Sequence, residues 1–310
     1  MKDRTNEESL DPTPGDLPVT AGRPGSGSAR CGGKNGGASV DPEALFSQVL
    51  DSANLSLAWK QVKANKGAPG IDGMTIDDFP AFARQHWERI RSQLSEGTYA
   101  PAPVRLVFIP KPDGSQRPLG VTTVLDRVIQ QAIAQVLTPL YDGDFSQHSY
   151  GFRAGRNAHQ AVRQVEAGWK RKRRHAVDCG LKAFFDTVNH DRLLTRLREK
   201  NGGGKLLRLI GRCLRAGVEL PDGSREAMPL GVPQGGPLSP LLANIVLDPL
   251  DKELERMRCR NSTNGSGDGC VSTTGNNGRD RERGGATSSN WGSTPRRCTA
   301  PAAAAKGIGA

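Results

Sequence analysis

Lys111 and Arg117 stand six residues apart, with Pro112-Asp113-Gly114 between them. A tight turn there brings both cations to one face of a hairpin. Lysine supplies a point charge and arginine a bidentate fork, a pair able to grip a polyphosphate. An ordinary charged hairpin has the same spacing, and both readings stay open. A second group is Gly231-Val232-Pro233-Gln234-Gly235-Gly236, a side-chain amide on a loop whose glycines let backbone approach a ligand closely. A third is Val177-Asp178-Cys179-Gly180-Leu181, running into Phe184-Phe185-Asp186. It reads as a buried strand, Ala176 to Leu181, followed by an aromatic pair. Strands of this kind, ending in a turn and a helix, often present a carboxylate to a metal-dependent site. The fourth is the basic run Lys170-Arg171-Lys172-Arg173-Arg174. Cations suit a helix C-terminus, and they also suit a nucleic-acid backbone.

The elements that must position these residues are punctuated by turn and cap signals. Asp41-Pro42 reads as N-cap and first helical position, with Ala44, Leu45, Val49 and Leu50 at helical spacing. Asp77-Asp78 reads as a helix start. Two extended runs, Val104 to Ile109 and Arg117 to Val121, flank the turn Lys111–Gly114. A helical stripe follows through Val124, Val128, Ile129, Ala132, Ile133, Val136 and Leu137, and Pro139 is expected to close it. A helix over about Asn157 to Arg174 carries Ala158, Ala161, Val162, Val165 and Trp169 on one face. Another begins with Ser239 as cap and Pro240 at the first position, is expected to kink at Pro249, and ends near Met257.

At 310 residues the chain is long enough to bury a real core. Its net charge of +11 favours a polyanionic partner. No run is long and apolar enough to span a bilayer, so no membrane role is expected. The N-terminus lacks the apolar region of a signal peptide, and the reading is cytoplasmic. The six cysteines (31, 179, 213, 259, 270, 298) form no CxxC pair and are read as reduced thiols rather than a zinc site. Residues 1–40 are rich in Gly, Ser, Pro and charge, and so are expected to be disordered. Periodicity also vanishes after Met257, which leaves residues 41–257 as the expected folded part.

The strings Asn65–Thr75, Phe108–Ile133, Ser149–Ala161, Phe184–His190 and Gly231–Ile245 occur in that order. Together they resemble the reverse transcriptase domain of group II intron-encoded maturases. The resemblance implies an α+β, right-hand polymerase fold. Residues 41–150 would be the fingers, residues 151–257 a partial palm (a small antiparallel sheet backed by helices), with disordered tails at 1–40 and 258–310. It implies that Lys111 and Arg117 contact the triphosphate of an incoming nucleotide. Phe185 would lie under its sugar and exclude a 2′-hydroxyl, the atom that distinguishes RNA from DNA. Gln234 and Gly235 would line the nucleotide and the primer end. Lys170, Arg171, Lys172, Arg173 and Arg174 would meet RNA. The implied partners are intron RNA, a DNA primer and a nucleoside triphosphate, and the implied cofactor is Mg²⁺, two ions serving phosphoryl transfer.

The chain departs from that pattern at the metals. The resemblance places a metal-binding Asp at position 180, and the residue there is Gly180. Asp178 would face the same side of a strand but about 6.6 Å further back, whereas Mg²⁺ takes oxygens at about 2.0–2.1 Å. Asp186, beyond the aromatic pair, reads as structural. The Tyr-x-Asp-Asp turn that supplies two more carboxylates should follow soon after Met257, where the low-complexity stretch begins instead. The chain is therefore expected to be a truncated, frameshifted copy that has lost polymerase activity. A non-catalytic fragment that binds intron RNA, and a pseudogene product without function, are the alternatives.

Overall fold

The structure is a computed structural model and describes residues 41–112 and 114–263, with side chains followed to Met257. The expectations for residues 1–40 and 264–310 lie outside the described residues.

The first helices form where caps and apolar spacing demand them. In α1 (Pro42–Val49) the Asp41 carboxylate accepts from the Glu43 amide at 3.1 Å, and Leu45, Phe46 and Val49 are buried. In α2 (Ser52–Ala64) Asp51 caps the first turn through the amides of Ala53 and Asn54. Helix α3 (Phe79–Glu96) begins after Asp78, whose carboxylate is turned back to Thr75, and ends on Gly97 in the left-handed region. Both acidic caps satisfy amides that a helix start leaves without partners.

The hairpin is formed as expected, β1 (Val104–Pro110) against β2 (Gln116–Val121). The Gly114 amide donates to the Lys111 carbonyl at 3.0 Å to close the turn. Helix α4 (Val124–Asp142) starts at Thr123, whose hydroxyl accepts from the Asp126 amide. The Asp126 carboxylate is buried and accepts from the Tyr99 hydroxyl at 2.7 Å, the Thr123 hydroxyl at 2.7 Å and the Ala102 amide at 3.1 Å. Burial nonetheless pushes its pKa up, because these donors only partly replace water. This knot ties the entry of β1 to the start of α4.

Pro139 was expected to end α4, yet the helix continues to Asp142. A proline removes one helical hydrogen bond without forbidding the next turn. The Thr138 hydroxyl donates to the Ala134 carbonyl at 2.7 Å, and buried Leu137 and Tyr141 hold the last turn to the core.

Helix α5 (Ala158–Lys170) opens with a full capping box between Asn157 and Gln160. It stops at Lys170, four residues short of the expected Arg174. Its apolar stripe does not enter the core: Val162 is 65% exposed, Val165 57% and Trp169 59%. A short turn, α6 (Phe184–Thr187), leads into α7 (His190–Asn201) and α8 (Lys205–Leu214). Two short strands, β3 (Val218–Glu219) and β4 (Arg225–Glu226), complete the sheet. Helix α9 (Ser239–Thr263) takes in Ser239, the expected cap, as its first residue, with the hydroxyl turned away to the Pro233 carbonyl, and runs six residues past Met257.

The sheet has the order β2-β1-β3-β4. Both hairpins are antiparallel, while β1 and β3 run parallel. The fold is thus α+β with a small mixed sheet. The expected strand Ala176 to Leu181 is not formed. Those residues are irregular and exposed, Val177 to 89%. A strand needs a neighbour for its amides and carbonyls, and among the described residues none lies beside this one. One hydrophobic cluster runs from α1 to α9 and includes Val49, Leu94, Ile133, Leu197, Ile210 and Leu242.

Candidate nucleotide-side site

The site is built on the free edge of β2. Ile109 pairs with Arg117, so period-two alternation puts Lys111 and Arg117 on the same face of the hairpin. Residues 230–236 run alongside that edge. The Gly120 amide donates to the Gln234 carbonyl at 2.7 Å, and Arg117 Nε donates to Gln234 Oε1 at 3.3 Å. The structure therefore joins Arg117 to Gln234 directly.

Glycine is required twice in this approach. Gly235 sits at φ +121°, and a Cβ there would lie 2.6 Å from the Gly120 carbonyl oxygen. Gly231, at φ +93°, would bring a Cβ to 3.0 Å from the carbonyl oxygens of Phe185 and Asp186.

Three further residues bear on the loop, two of them, His190 and Gly120, without a role in the sequence reading. His190 Nε2 meets the Gly231 carbonyl at 2.6 Å. Ser239, read only as a helix cap, donates its hydroxyl to the Pro233 carbonyl at 2.6 Å. Gly120 has its own close contact, since a Cβ there would lie 2.6 Å from Val104 Cγ1. Asn189 caps α7 through the Arg192 amide, a local feature. That His190 reaches across to residue 231 is a long-range fact that no local pattern carries.

Phe185 supports the same loop by backbone, its carbonyl accepting from the Val232 amide at 2.7 Å. Its ring borders a cleft of about 170 Å³ shared with Val104, Leu106, Pro118, Gly120 and Gln234. The strand residues among these belong to the hairpin face opposite Lys111 and Arg117. Gln234 is thus the one predicted side chain adjacent to both faces, while Phe185 and Lys111 lie on different ones.

The basic run sits at the end of α5. Lys170 pairs with Glu166 at 2.8 Å, and the Arg174 guanidinium lies 4.3 Å from the centre of the Trp169 ring. Both contacts are local to the end of α5.

The fit of a divalent metal can be tested on the donors. Gly180 has no side chain, and a Cβ built on it would meet nothing within 4 Å. Asp178 and Asp186 are exposed. Among the described residues no three His, Cys, Asp or Glu side chains converge as a metal site. These residues do not fit a pair of magnesium ions. Cys179 and Cys213 are free thiols, the first exposed and the second buried, with burial pushing the Cys213 pKa up. Among the described residues no helix is long and apolar enough to cross a membrane.

Comparison with known proteins places this geometry. Residues 109–264 match the family "Reverse transcriptase (RNA-dependent DNA polymerase)". Protein YkfC of Escherichia coli is 34% identical over 227 residues, covering 70% of this chain and 59% of its own length. Group II intron-encoded protein LtrA of Lactococcus lactis is 33% identical over 217 residues, covering 70% of this chain and 36% of its own. A putative COX1/OXI3 intron 1 protein of Saccharomyces cerevisiae is 30% identical over 216 residues, covering 68% of this chain and 25% of its own. The chain spans between a quarter and three fifths of these relatives. The turn and second strand of the hairpin, the glycine-framed loop and α9 fall within residues 109–264, and the chain belongs to the reverse transcriptase (RNA-dependent DNA polymerase) family, with group II intron-encoded proteins among its relatives.

Proposed function

We propose that this polypeptide retains the nucleotide-side and RNA-binding surfaces of a group II intron reverse transcriptase but does not polymerise DNA. Its role is to hold intron RNA. The observation that carries the reading is Gly180, which stands where the resemblance requires a metal-binding Asp. Polymerisation in this family needs a seat for two divalent ions, one at the attacking hydroxyl and one at the leaving pyrophosphate. Removing a carboxylate from that seat removes both a ligand and the charge that holds the ions. No Tyr-x-Asp-Asp string occurs in the 310 residues to supply the other two.

RNA binding is supported by the net charge of +11 and by the exposed cations at the end of α5. The intron-encoded relatives make intron RNA the partner to test first. The continuous buried core from α1 to α9 supports a folded product over an inert one. Here Lys111, Arg117, Gln234 and Gly235 would serve as a vestigial nucleotide edge, Phe185 as its support, and 170–174 as an outer phosphate contact.

Primer extension tests the first half of the proposal. Purified 310-residue chain, an RNA template, a DNA primer and Mg²⁺ are expected to give no extended product, and magnesium-dependent extension would overturn it. Filter binding across a salt series tests the second half. Retention of group II intron RNA above an unrelated RNA of equal length is expected, and equal retention of the two would remove the specific role.

A further inference from the structure

A second cavity lies away from the hairpin, in the groove between α7 and α8. It is an open cleft of about 990 Å³ and shares no lining residue with the cleft at Phe185. Helical spacing explains what lines it. On α7, Asp191, Leu194, Thr195 and Arg198 recur every three or four residues. Arg208, Gly211 and Arg212 of α8, with Arg215 just past its end, repeat that spacing.

The groove therefore holds four guanidinium groups against one carboxylate. Two of the four are engaged. Arg215 Nη2 pairs with Asp191 at 3.2 Å, and Arg212 Nη1 donates to the Tyr99 carbonyl at 2.9 Å. Arg198 and Arg208 are exposed and make no side-chain hydrogen bond or ion pair among the described residues. A second feature points the same way. The N-terminus of α8 opens into the groove at Gly203 and Gly204 and carries no side-chain cap. Its unpaired amides and positive dipole end add to the cationic field.

We propose that this groove is a binding site for the phosphodiester backbone of RNA, distinct from the nucleotide-side edge. It rests on the reading that the chain binds RNA, and names where. Guanidinium forks match phosphate oxygens two at a time. None of the exposed large apolar side chains of the described residues lies in the groove. A protein partner would need such an anchor at its interface core, while a phosphate backbone needs none.

The test measures binding of a short fluorescein-labelled RNA hairpin to the full chain over a salt series. Arg198→Gln with Arg208→Gln removes two phosphate contacts. It is expected to lower the slope of log K against log salt by about two, so that the fall in affinity between ~50 and ~200 mM salt shrinks about tenfold. Arg198→Lys with Arg208→Lys keeps the charge and is expected to keep the slope. Lys60→Gln with Lys63→Gln, exposed on α2, removes the same charge elsewhere and is expected to change the slope by less than half as much. Thermal midpoints of all variants are expected to match the wild type.

Wild-type chain that shows no salt-dependent binding overturns both this site and the RNA-binding reading. Wild-type binding with an unchanged slope in the glutamine pair overturns the groove alone. So does an equal loss in the α2 control pair, which would reduce the effect to net charge. Competition by polyglutamate as strong as by unlabelled RNA of equal charge would replace RNA by an acidic protein partner.

Discussion

Residues 230–236 and the stretch 171–183, which contains the strand expected at 176–181, are held very differently, although the resemblance puts Gln234 and position 180 at one centre. The first stretch is fixed from three sides. Gly120 and Arg117 reach it from β2, Phe185 and His190 from the α6–α7 turn, and Ser239 from the start of α9. The second has no ladder partner among the described residues, and Val177 and Leu181 stand in solvent. The contrast shows what a site element needs: a loop rich in glycine is ordered by neighbours that complete its hydrogen bonds. A run of good strand formers stays irregular without them.

Leu242→Ala is expected to give the largest effect. Leu242 is 1% exposed on α9, one turn beyond the clamped loop. Truncating it removes buried contacts and leaves a cavity, costing about 2–5 kcal/mol in denaturant unfolding. Val177→Ala, at 89% exposure, is expected to change stability by less than ~0.5 kcal/mol. Equal losses at the two positions would show that residues 171–183 are packed after all, and the contrast would be broken.

How much of this was legible follows the range of the interactions. The Asp41 cap and the hairpin turn at Lys111–Gly114 are local, and the sequence carries them whole. The alternation across the hairpin also placed Lys111 and Arg117 on one face. The Arg117–Gln234 contact spans 117 positions of sequence and was legible only through the resemblance, which put both at a nucleotide. His190 and Gly120 were missed because their partners lie elsewhere in the chain. The stripe on α5 misled for the opposite reason: periodicity reports an amphipathic helix, not whether anything covers it. Pro139 misled because Thr138 and two buried side chains outweigh one missing hydrogen bond.

A pair of glycine substitutions sharpens the contrast at the next level. Gly231→Ala puts a side chain at φ +93° and against two carbonyl oxygens. A loss of about 1–3 kcal/mol is expected, with the Arg117 and Gln234 contact loosened as residue 231 shifts. The readout is the denaturation midpoint. An unchanged midpoint would mean that the loop adapts and that its clamps are weak.

The Arg117–Gln234 hydrogen bond itself is worth less. Arg117→Ala, Gln234→Ala and the double variant form a cycle whose coupling is expected at about 0.5–1.5 kcal/mol. Both groups are half-buried, so the low end is the natural expectation. A coupling of zero would detach the two residues and return the hairpin to the ordinary charged turn that its spacing also allowed.

The smallest expected effect is at the position that decides the chemistry. Gly180→Asp restores the carboxylate that the family resemblance places there. Nothing lies within 4 Å of a Cβ at this glycine, so the new side chain meets no steric cost, and the midpoint is expected to shift by less than ~0.5 kcal/mol. A single carboxylate on an exposed, unpaired segment offers Mg²⁺ one ligand where it needs a rigid set. Adding millimolar Mg²⁺ is therefore expected to leave the midpoint of the variant where it leaves that of the wild type. A ligand that binds only the folded state must raise that midpoint in proportion to the logarithm of its concentration. A rise with Mg²⁺ in the variant alone would mean that residues 176–181 fold onto a metal once the carboxylate is present. The difference between the two stretches would then lie in one missing side chain rather than in missing neighbours.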